Sequence, residues 1–322
     1  MARKKRRKLR PVVKIIGIVL ILSIIAGIAV LVIKSKNQQE EIDQGGFNNI
    51  DNPGSSPVER ELTYAILDQG QGLCVLISMG DTQIIIDGGP FEGSDVLPDK
   101  IRPYAADGVV EYVIATHCHE DHVGGLQRIY ENFSVKHTIY GDLSDEGYFY
   151  YFMNAAINDG GTVEEDRDMT INLSNGAALN IYDIEDNNEN PNNNSVVTYL
   201  KYKDVSFLCT GDLESDMEQK LTAYDIDPTV VVAAHHGSNT SNSLLKEFKH
   251  MEYFVISAAA NNDHYHPHPT VLADAIKYTK NRNVYGTWKS GDIVFTTDGN
   301  SVTTNALKDQ KLTEKDAGAK VE

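Results

Sequence analysis

A dense cluster of histidine and acidic side chains follows a predicted buried strand and constrains how the chain folds. The strand is the apolar run from Val109 to Ala115, and it stops at Thr116-His117-Cys118-His119-Glu120-Asp121-His122. Side chains two residues apart on an extended segment point the same way, so His117 and His119 are predicted to reach one metal ion. The chain must therefore present a polar site at a strand end, which is where α/β sheets bind ligands.

The same string offers a second set of donors. Asp121 and His122 come where the chain turns into the next predicted helix, and they are predicted to hold a second ion. Imidazole and carboxylate donors without thiolate suit one or two Zn²⁺ ions, with Mn²⁺ or iron as alternatives, better than they suit a closed structural zinc site. The cysteines Cys74, Cys118 and Cys209 are too widely spaced to suggest a disulfide framework.

Strands and helices alternate from residue 61 to residue 306, which predicts a single α/β domain. Short β-branched runs are separated by turn residues, and helical candidates follow several of the polar clusters. The charged residues 307–322 are expected to form a tail that frays. Because 41% of the residues are apolar, the chain can build a packed core, and a disordered or collagen-like protein is excluded.

The first 36 residues differ in charge from the rest. They contain ten Lys and Arg residues and no acidic residue, whereas the whole chain has 29 basic and 46 acidic residues and a formal net charge of -17. The remaining 19 basic residues face 46 acidic ones, so the part after residue 36 carries a formal charge of -27. Such a domain repels polyanions unless a local basic patch intervenes.

Residues 15–33 form an uncharged apolar run. A run of this length crosses a hydrocarbon core of about 30 Å as a helix, so it predicts a transmembrane helix. The basic residues 1–14 predict a cytoplasmic tail before it, and the polar residues 34–60 a linker to an extracellular domain. We therefore expect a single-pass protein of the cell membrane. A cleaved signal peptide is the alternative, since Ala26-Gly27-Ile28-Ala29 offers small residues for cleavage.

Three motifs in this order resemble the metallo-β-lactamase superfamily. They are Ile84-Ile85-Ile86-Asp87-Gly88-Gly89, the histidine string after Ala115, and Thr210-Gly211-Asp212. The resemblance implies a four-layer αββα sandwich that binds one or two metal ions. It also implies that Asp87 supports the metal site from behind the ligands and that Asp212 bridges two ions.

Further motifs are similar to the extracytoplasmic hydrolase domain of ComEC-like competence proteins, over roughly residues 62–300. They are Leu67-Asp68-Gln69-Gly70-Gln71-Gly72, Ala234-His235-His236-Gly237-Ser238 and His264-Tyr265-His266-Pro267-His268-Pro269. By this resemblance His236 is an active-site histidine that does not bind metal, with His235 and Ser238 as supporting residues. His266 is then the last ligand of the second ion. His268 is the alternative, unless it lies at the start of the helix that follows.

One histidine of the superfamily pattern is missing. Many members have a further histidine between the first cluster and the bridging aspartate, and His137, alone in that interval, stands in the wrong context. The expected place is occupied by Asn194-Ser195, a step that resembles the ComEC-like group. The first ion is therefore expected to have Asn194 nearby and to be held by water and by His117, His119 and Asp212. Occupancy by a single metal ion stays open.

The resemblance implies a metal-dependent hydrolase, and we expect a phosphodiesterase. In this mechanism Asp212 bridges the ions, Asp121 helps orient the attacking hydroxide, and His236 protonates the leaving oxygen or stabilises the developing charge. Likeness to ComEC-like proteins suggests DNA as the substrate, whereas the acidic charge of the domain opposes it. Candidates for a local basic patch are Lys136, Lys246, Lys249, Lys280, Arg282 and Lys289.

Two alternatives stay open. One is an esterase that acts on phosphorylcholine or teichoic-acid diesters of the cell envelope, or on a small ester or lactone. The other is a non-catalytic surface binding domain on the same fold, for which the missing histidine is the support.

Overall fold

The computed structural model describes residues 61–141, 144, 147–184 and 190–321. The predicted cytoplasmic tail (1–14), transmembrane helix (15–33) and linker (34–60) lie outside the described residues. Within the described ranges, no helix is both long and apolar enough to cross a membrane.

The described part of the chain contains fifteen strands. They are β1 (Leu62–Ile66), β2 (Val75–Met79), β3 (Thr82–Ile86), β4 (Val109–Ala115), β5 (Ser134–Tyr140), β6 (Thr162–Glu165), β7 (Met169–Asn172), β8 (Ala178–Tyr182), β9 (Val197–Tyr202), β10 (Val205–Cys209), β11 (Val230–Val232), β12 (Tyr253–Ile256), β13 (Val284–Gly286), β14 (Ile293–Thr297) and β15 (Val302–Thr304).

The α-helices of the same part have between 4 and 13 residues, and several 3₁₀ helices lie between them. The α-helices are α1 (Leu97–Ile101), α2 (Glu120–Val123), α3 (Leu126–Asn132), α4 (Gly147–Asp159), α5 (Ser215–Glu218), α6 (Pro269–Tyr278) and α7 (Thr287–Ser290). The 3₁₀ helices include Pro191–Asn194, Ala234–Gly237, Lys308–Gln310 and Glu314–Ala319.

The described strands form two mixed sheets. The first has eight strands in the order β15-β14-β1-β2-β3-β4-β5-β6, and the second has seven in the order β13-β12-β11-β10-β9-β8-β7. Strands β3 to β6 pair in parallel in the first sheet, as β10 to β13 do in the second, and the other pairs are antiparallel. Each sheet therefore has a parallel half whose strands end at one edge.

The two sheets pack face to face over a shared apolar core. Alternate residues of β1 show how it forms, because Tyr64 and its neighbours two residues away join the core between the sheets, while Ala65 faces the opposite side. The Tyr64 ring stacks on Phe207 of β10, with ring centroids 4.4 Å apart and planes 12° from parallel. This aromatic pair links one sheet to the other at the centre of the domain.

Helices cover the outer faces of both sheets. Apolar residues of α1, α3 and α4 pack on the first sheet, and those of α5 and α6 pack on the second. The order of layers is helix, sheet, sheet, helix. The predicted α/β sandwich is therefore confirmed for the part of the chain that the structure describes.

The segment after Ala306 differs from the frayed tail expected from its charge. Leu312 is buried, and its N–H donates to the Val284 carbonyl at 2.8 Å. Farther on, the N–H of Gly318 donates to the Pro267 carbonyl at 2.9 Å. The segment packs because a few apolar residues among its charges are buried against the second sheet and its helices.

Truncation of the inter-sheet pair tests this description of the core. Phe207→Ala is expected to lower the free energy of unfolding by about 3–5 kcal/mol, because it removes a buried ring and leaves a cavity. Tyr150→Ala is the control, since that side chain on α4 is 62% exposed and its loss is expected to cost less than about 0.5 kcal/mol. Urea unfolding measures both values, and equal stabilities for the two variants would contradict the packing described.

Candidate metal centre

The predicted site residues arrive from the ends of neighbouring strands. Asp87 follows β3, and the histidine string follows β4, which is parallel to β3. On the second sheet, Asp212 follows β10 and the pair His235 and His236 follows β11, again a parallel neighbour. Carboxyl ends of parallel strands lie at one edge of a sheet, so the two sheets bring these side chains to one place.

One part of the site is built around His117. Its Nε2 lies 3.0 Å from His119 Nδ1 and 4.0 Å from Asp212 Oδ2. Its Nδ1 faces the hydroxyl oxygens of Thr116 and Ser195, at 3.2 and 3.4 Å. Because these two hydroxyls contact Nδ1 of His117, its Nε2 is directed at His119 and Asp212.

A second part is built around His122. Its Nε2 lies 3.2 Å from His236 Nε2, and the same His236 atom lies 3.2 Å from Asp121 Oδ2. His122 and His236 are fully or almost fully buried, whereas Asp121 is partly exposed. The two imidazole nitrogens and the carboxylate oxygen are directed at one small space, and a cation placed there would accept a lone pair from each of them.

The Asp212 carboxylate lies between the two parts. Its Oδ1 is 3.1 Å from His122 Nε2 and 3.7 Å from His236 Nε2. Its Oδ2 is 4.0 Å from His117 Nε2 and 3.6 Å from His235 Nε2. Asp212 is 2% exposed, and among the described residues its Oδ1 has no hydrogen bond of acceptable geometry. A buried carboxylate oxygen of this kind, among imidazole nitrogens, fits a bound divalent cation.

A layer of hydrogen bonds behind the donors fixes their orientation. His122 Nδ1–H donates to Asp87 Oδ2 at 2.7 Å, and Asp87 also accepts hydrogen bonds from the N–H and the hydroxyl of Thr116, both at 2.7 Å. His236 Nδ1–H donates to the Ser257 carbonyl at 2.9 Å. Since each Nδ1 carries a hydrogen, each Nε2 is left to face the site, as in metal-binding histidines whose second nitrogen is held.

The electrostatic balance of the metal-free site follows from this crowding. Burial raises the pKa of the Asp212 carboxyl, but His122, His236 and His117 outweigh it and hold that pKa well below its usual value. Burial lowers the pKa of His122 and of His236, but Asp212 and the other nearby carboxylates outweigh it, so both pKa values lie above the usual value. Burial holds the pKa of His117 well below the usual value.

His235 and His236 share an unusual backbone conformation. Their φ angles are 49° and 54°, in the left-handed region that residues other than glycine rarely occupy. Asp87 has a φ of 58° as well. This conformation lets the two consecutive imidazoles both lie near Asp212, at a cost in backbone strain. In an extended segment, successive side chains would point to opposite sides.

The structure brings His236, rather than His266, into contact with Asp121 and His122. His236 lies within 3.2 Å of both Asp121 and His122, in the position of a ligand. The His266 ring lies farther out, with its centroid 6.5 Å from that of His236 and 5.7 Å from that of His235. The order of motifs along the chain did not show which histidine the loop after β11 carries inward.

The remaining predicted site residues are placed as follows. His268 caps α6, where its Nδ1 accepts a hydrogen bond from the Thr270 N–H at 3.4 Å, so it occupies the helix start considered as its alternative. Ser238 is buried and bonds Thr240, and thus shapes the turn after His236. Asn194 ends the 3₁₀ helix Pro191–Asn194, and the contact with His117 belongs to its neighbour Ser195.

Three contributing residues were missed by the sequence reasoning: Thr116, Ser195 and Ser257. Ser195 also accepts a hydrogen bond from the Asp212 N–H at 3.1 Å. A signal was present for Ser195, since the Asn194-Ser195 step occupies the place of the missing histidine and resembles the ComEC-like group. Thr116 and Ser257 carried no signal beyond their positions just after strands.

Comparison with known proteins identifies the family. Residues 67–258 match the Metallo-beta-lactamase superfamily. The chain belongs to this superfamily. Members of the fold commonly bind one or two metal ions, in line with the two donor groups found here, His117 with His122 and Asp212, and Asp121 with His122 and His236.

Two curated relatives are longer than the matched part. ComE operon protein 3 of Bacillus subtilis (strain 168) is 27% identical over 246 residues, which are 66% of this chain and 30% of that protein. The uncharacterized protein YcaI of Escherichia coli (strain K12) is 30% identical over 194 residues, which are 58% of this chain and 24% of that protein. The resemblance to ComEC-like proteins is confirmed, while the chain spans less than a third of either relative.

A solved structure supports the fold. The metallo-beta-lactamase fold protein YhfI from Bacillus subtilis matches with a TM-score of 0.52 and 10% identity, covering 74% of this chain and all of that one. This likeness shows the fold alone. His266 and the segment after Ala306 lie beyond the residues that match the superfamily.

The raised pKa values predict that metal binding releases protons. Nearby carboxylates, Asp212 first, hold the pKa values of His122 and His236 above the usual value in the metal-free site, so protons compete with an ion for their ring nitrogens. Zinc affinity is therefore expected to fall as pH is lowered from neutrality, and proton release to fade as pH rises above these pKa values.

Calorimetry in buffers of different ionisation enthalpy measures this release. His250→Asn is the control, because that side chain is 77% exposed and bonds Asp227 away from the donors, and it is expected to release as many protons as the wild type. Identical binding heats in all buffers at pH 7 would contradict the proposed charge balance.

Proposed function

We propose that the domain is a phosphodiesterase that holds two divalent ions, Zn²⁺ or Mn²⁺, on either side of Asp212. The observation that carries this proposal is the Asp212 carboxylate, whose two buried oxygens face different groups of imidazoles. A carboxylate in that position is able to bind one ion through each oxygen. This proposal concerns the residues of this chain and does not extend to the whole of its longer relatives.

The first ion would be held by His117, His119, His235 and Asp212 Oδ2. His235 takes the role of the histidine that is missing from the superfamily pattern, because its Nε2 lies 3.6 Å from Asp212 Oδ2 on the side that faces His117. Its Nδ1 contacts the Thr240 hydroxyl at 3.2 Å, which leaves Nε2 for the ion. The chain thus supplies three imidazoles without a histidine at Asn194.

The second ion would be held by Asp121, His122, His236 and Asp212 Oδ1. The hydrogen bonds from His122 to Asp87 and from His236 to Ser257 keep both Nε2 atoms in place. Asp121 is the most exposed member, with a side chain that is 31% accessible. It is therefore the member of this group best placed to accept a hydrogen bond from an attacking water and orient it.

Divalent ions in this pocket would supply an activated water and neutralise charge on phosphoryl oxygens. His266 is placed to act on the substrate beside them. Burial, with smaller contributions from His236 and His235, lowers the pKa of His266 to about 4, so this imidazole is neutral at pH 7. Its Nδ1 is buried without a hydrogen-bond partner among the described residues. A neutral imidazole both donates and accepts, and we assign it to hydrogen bonding with a substrate oxygen.

The charges around the site favour single or short phosphodiesters over long DNA. Several candidates for a basic patch are engaged with acidic side chains, since Lys136 pairs with Glu111 at 2.9 Å and Lys289 with Asp316 at 3.1 Å. Lys280 is paired with Glu252 in the same way. Paired lysines in a chain whose part after residue 36 has a formal charge of -27 offer little attraction to a polyanion. Binding of a small phosphodiester of the cell envelope does not depend on such attraction. DNA is the competing substrate because of the likeness to a ComE operon protein.

We also propose that residues 15–33 anchor the enzyme in the cell membrane with the domain outside the cell. The support is the uncharged run and the ten basic residues within residues 1–36. An anchored hydrolase of this kind would act on material in the envelope within reach of its linker.

Activity assays with a bridging-residue variant test the proposed function. The protein loaded with Zn²⁺ or Mn²⁺ is expected to hydrolyse bis-p-nitrophenyl phosphate, and Asp212→Asn to lower kcat/KM by about 100-fold or more, since several kcal/mol of charge stabilisation are lost. Asp309→Asn, an exposed carboxylate on Lys308–Gln310, is the control and is expected to keep full activity.

The choice of substrates separates the alternatives. Phosphorylcholine esters, single-stranded DNA and double-stranded DNA are compared under the same conditions, and faster turnover of DNA would overturn the preference for envelope phosphodiesters. Absence of metal-dependent turnover on every substrate, including a lactone, would favour the binding domain. Unchanged activity of Asp212→Asn would refute the site assignment.

A further inference from the structure

The motif Asp68-Gln69-Gly70-Gln71-Gly72 has no side chain in either donor group, yet it lies between the elements that carry them. It forms the loop that joins β1 to β2. The loop bonds to Asp121 and to the segment after β12, which includes Ser257 and leads to His266. Ser257 in turn bonds His236.

Gly72 brings the loop against both Ser257 and Asp121. Its carbonyl accepts a hydrogen bond from the Ser257 hydroxyl at 2.6 Å, and the Ser257 carbonyl in turn accepts the one from His236. A Cβ atom at Gly72 would lie 2.4 Å from the Asp121 carbonyl oxygen, closer than real contacts allow. The next residue, Leu73, donates its N–H to that same oxygen at 3.1 Å. Only glycine permits this approach.

Gln71 extends the contact to Ala259, in the segment after β12 that leads to His266. Its Oε1 accepts a hydrogen bond from the Ala259 N–H at 3.1 Å. The Ala259 carbonyl accepts one from Asn262 Nδ2 at 3.0 Å. The same Asn262 side chain holds both backbone groups of His266, because Nδ2 donates to the His266 carbonyl at 2.7 Å and Oδ1 accepts from its N–H at 2.9 Å.

The other end of the motif is fixed by a charged cluster. Lys100 Nζ donates to the Asp68 carbonyl and to Asp292 Oδ1, both at 2.7 Å, and Asp68 N–H donates to the same Asp292 oxygen at 2.8 Å. The loop is therefore held against β14 and α1 before it reaches the site. A loop held at one end is a firm support for the residues that bond to its other end.

We propose that Gln71 is a positioning residue for His266, acting through Ala259 and Asn262. This inference rests on the proposed function, because His266 is there assigned to the substrate. It goes beyond the metal site, since none of these residues belongs to a donor group. Gln71 supplies only an acceptor to Ala259, so any side chain of equal length with an acceptor oxygen at this place preserves the function.

Two substitutions at Gln71 test the proposal. Gln71→Ala is expected to lower kcat by about 10- to 100-fold, as outer residues that orient active-site groups do, with the zinc content of the protein unchanged. Gln71→Glu keeps the acceptor oxygen and is expected to retain most of kcat. Gln127→Ala is the matched control, because that glutamine is on α3 and bonds only to Glu131 among the described residues.

A second readout does not depend on activity. In zinc-free protein labelled at histidine, Gln71→Ala and Asn262→Ala are expected to shift the imidazole resonances of His266, assigned through His266→Asn, and to leave those of His137 and His250 unchanged. The double variant is expected to lose no more kcat than the stronger single variant, since both act along one path.

The outcomes distinguish this inference from the proposed function. A wild type without turnover refutes the proposed function, while the His266 resonances still report on positioning. Unchanged His266 resonances in Gln71→Ala overturn the positioning role. Loss of kcat in Gln71→Glu equal to that in Gln71→Ala also overturns it, because the amide group itself would then be required. Loss of zinc from Gln71→Ala would assign Gln71 to the donor groups instead.

Discussion

The structure of the site depends on one buried carboxylate among imidazoles. Asp212 is almost completely shielded from water, and an isolated charge in that position would be very costly. Four histidine nitrogens lie within 4.0 Å of its oxygens. Two of them, on His122 and His236, belong to rings whose pKa values are raised, so their protonated forms offset part of that cost, and a bound cation would offset more. These groups come from the ends of parallel strands in both sheets, so the site forms only when the two sheets pack together.

Backbone strain is concentrated at the same place. Asp87, His235 and His236 all adopt left-handed conformations, each at a cost of about 1–3 kcal/mol for a residue other than glycine. These conformations allow two consecutive histidines to approach the Asp212 carboxylate. They also allow Asp87 to bond both His122 and Thr116. The packing of the two sheets, including Tyr64 stacked on Phe207, provides the free energy of folding that offsets this backbone strain.

Local periodicity predicted an α/β domain, and spacing at a strand end predicted the donors of the string after β4. Asp212 and the four-layer sandwich were expected from the resemblance to the metallo-β-lactamase superfamily. The contact of His236 with Asp121 and His122 was not expected, since the left-handed turn at His235 and His236 that directs it inward has no sequence signature. The contribution of Asn262 and the packing of Leu312 arise from contacts across the fold, and no local pattern reports them.

The central claim is that Asp212 is shared by two ion positions, and native mass spectrometry of the zinc-loaded protein tests it most directly. The account predicts two zinc ions per chain in the wild type, and fewer in Asp212→Ser with the fold retained. A wild type that binds a single ion or none under saturating zinc, or an Asp212→Ser variant that still holds two, would contradict it.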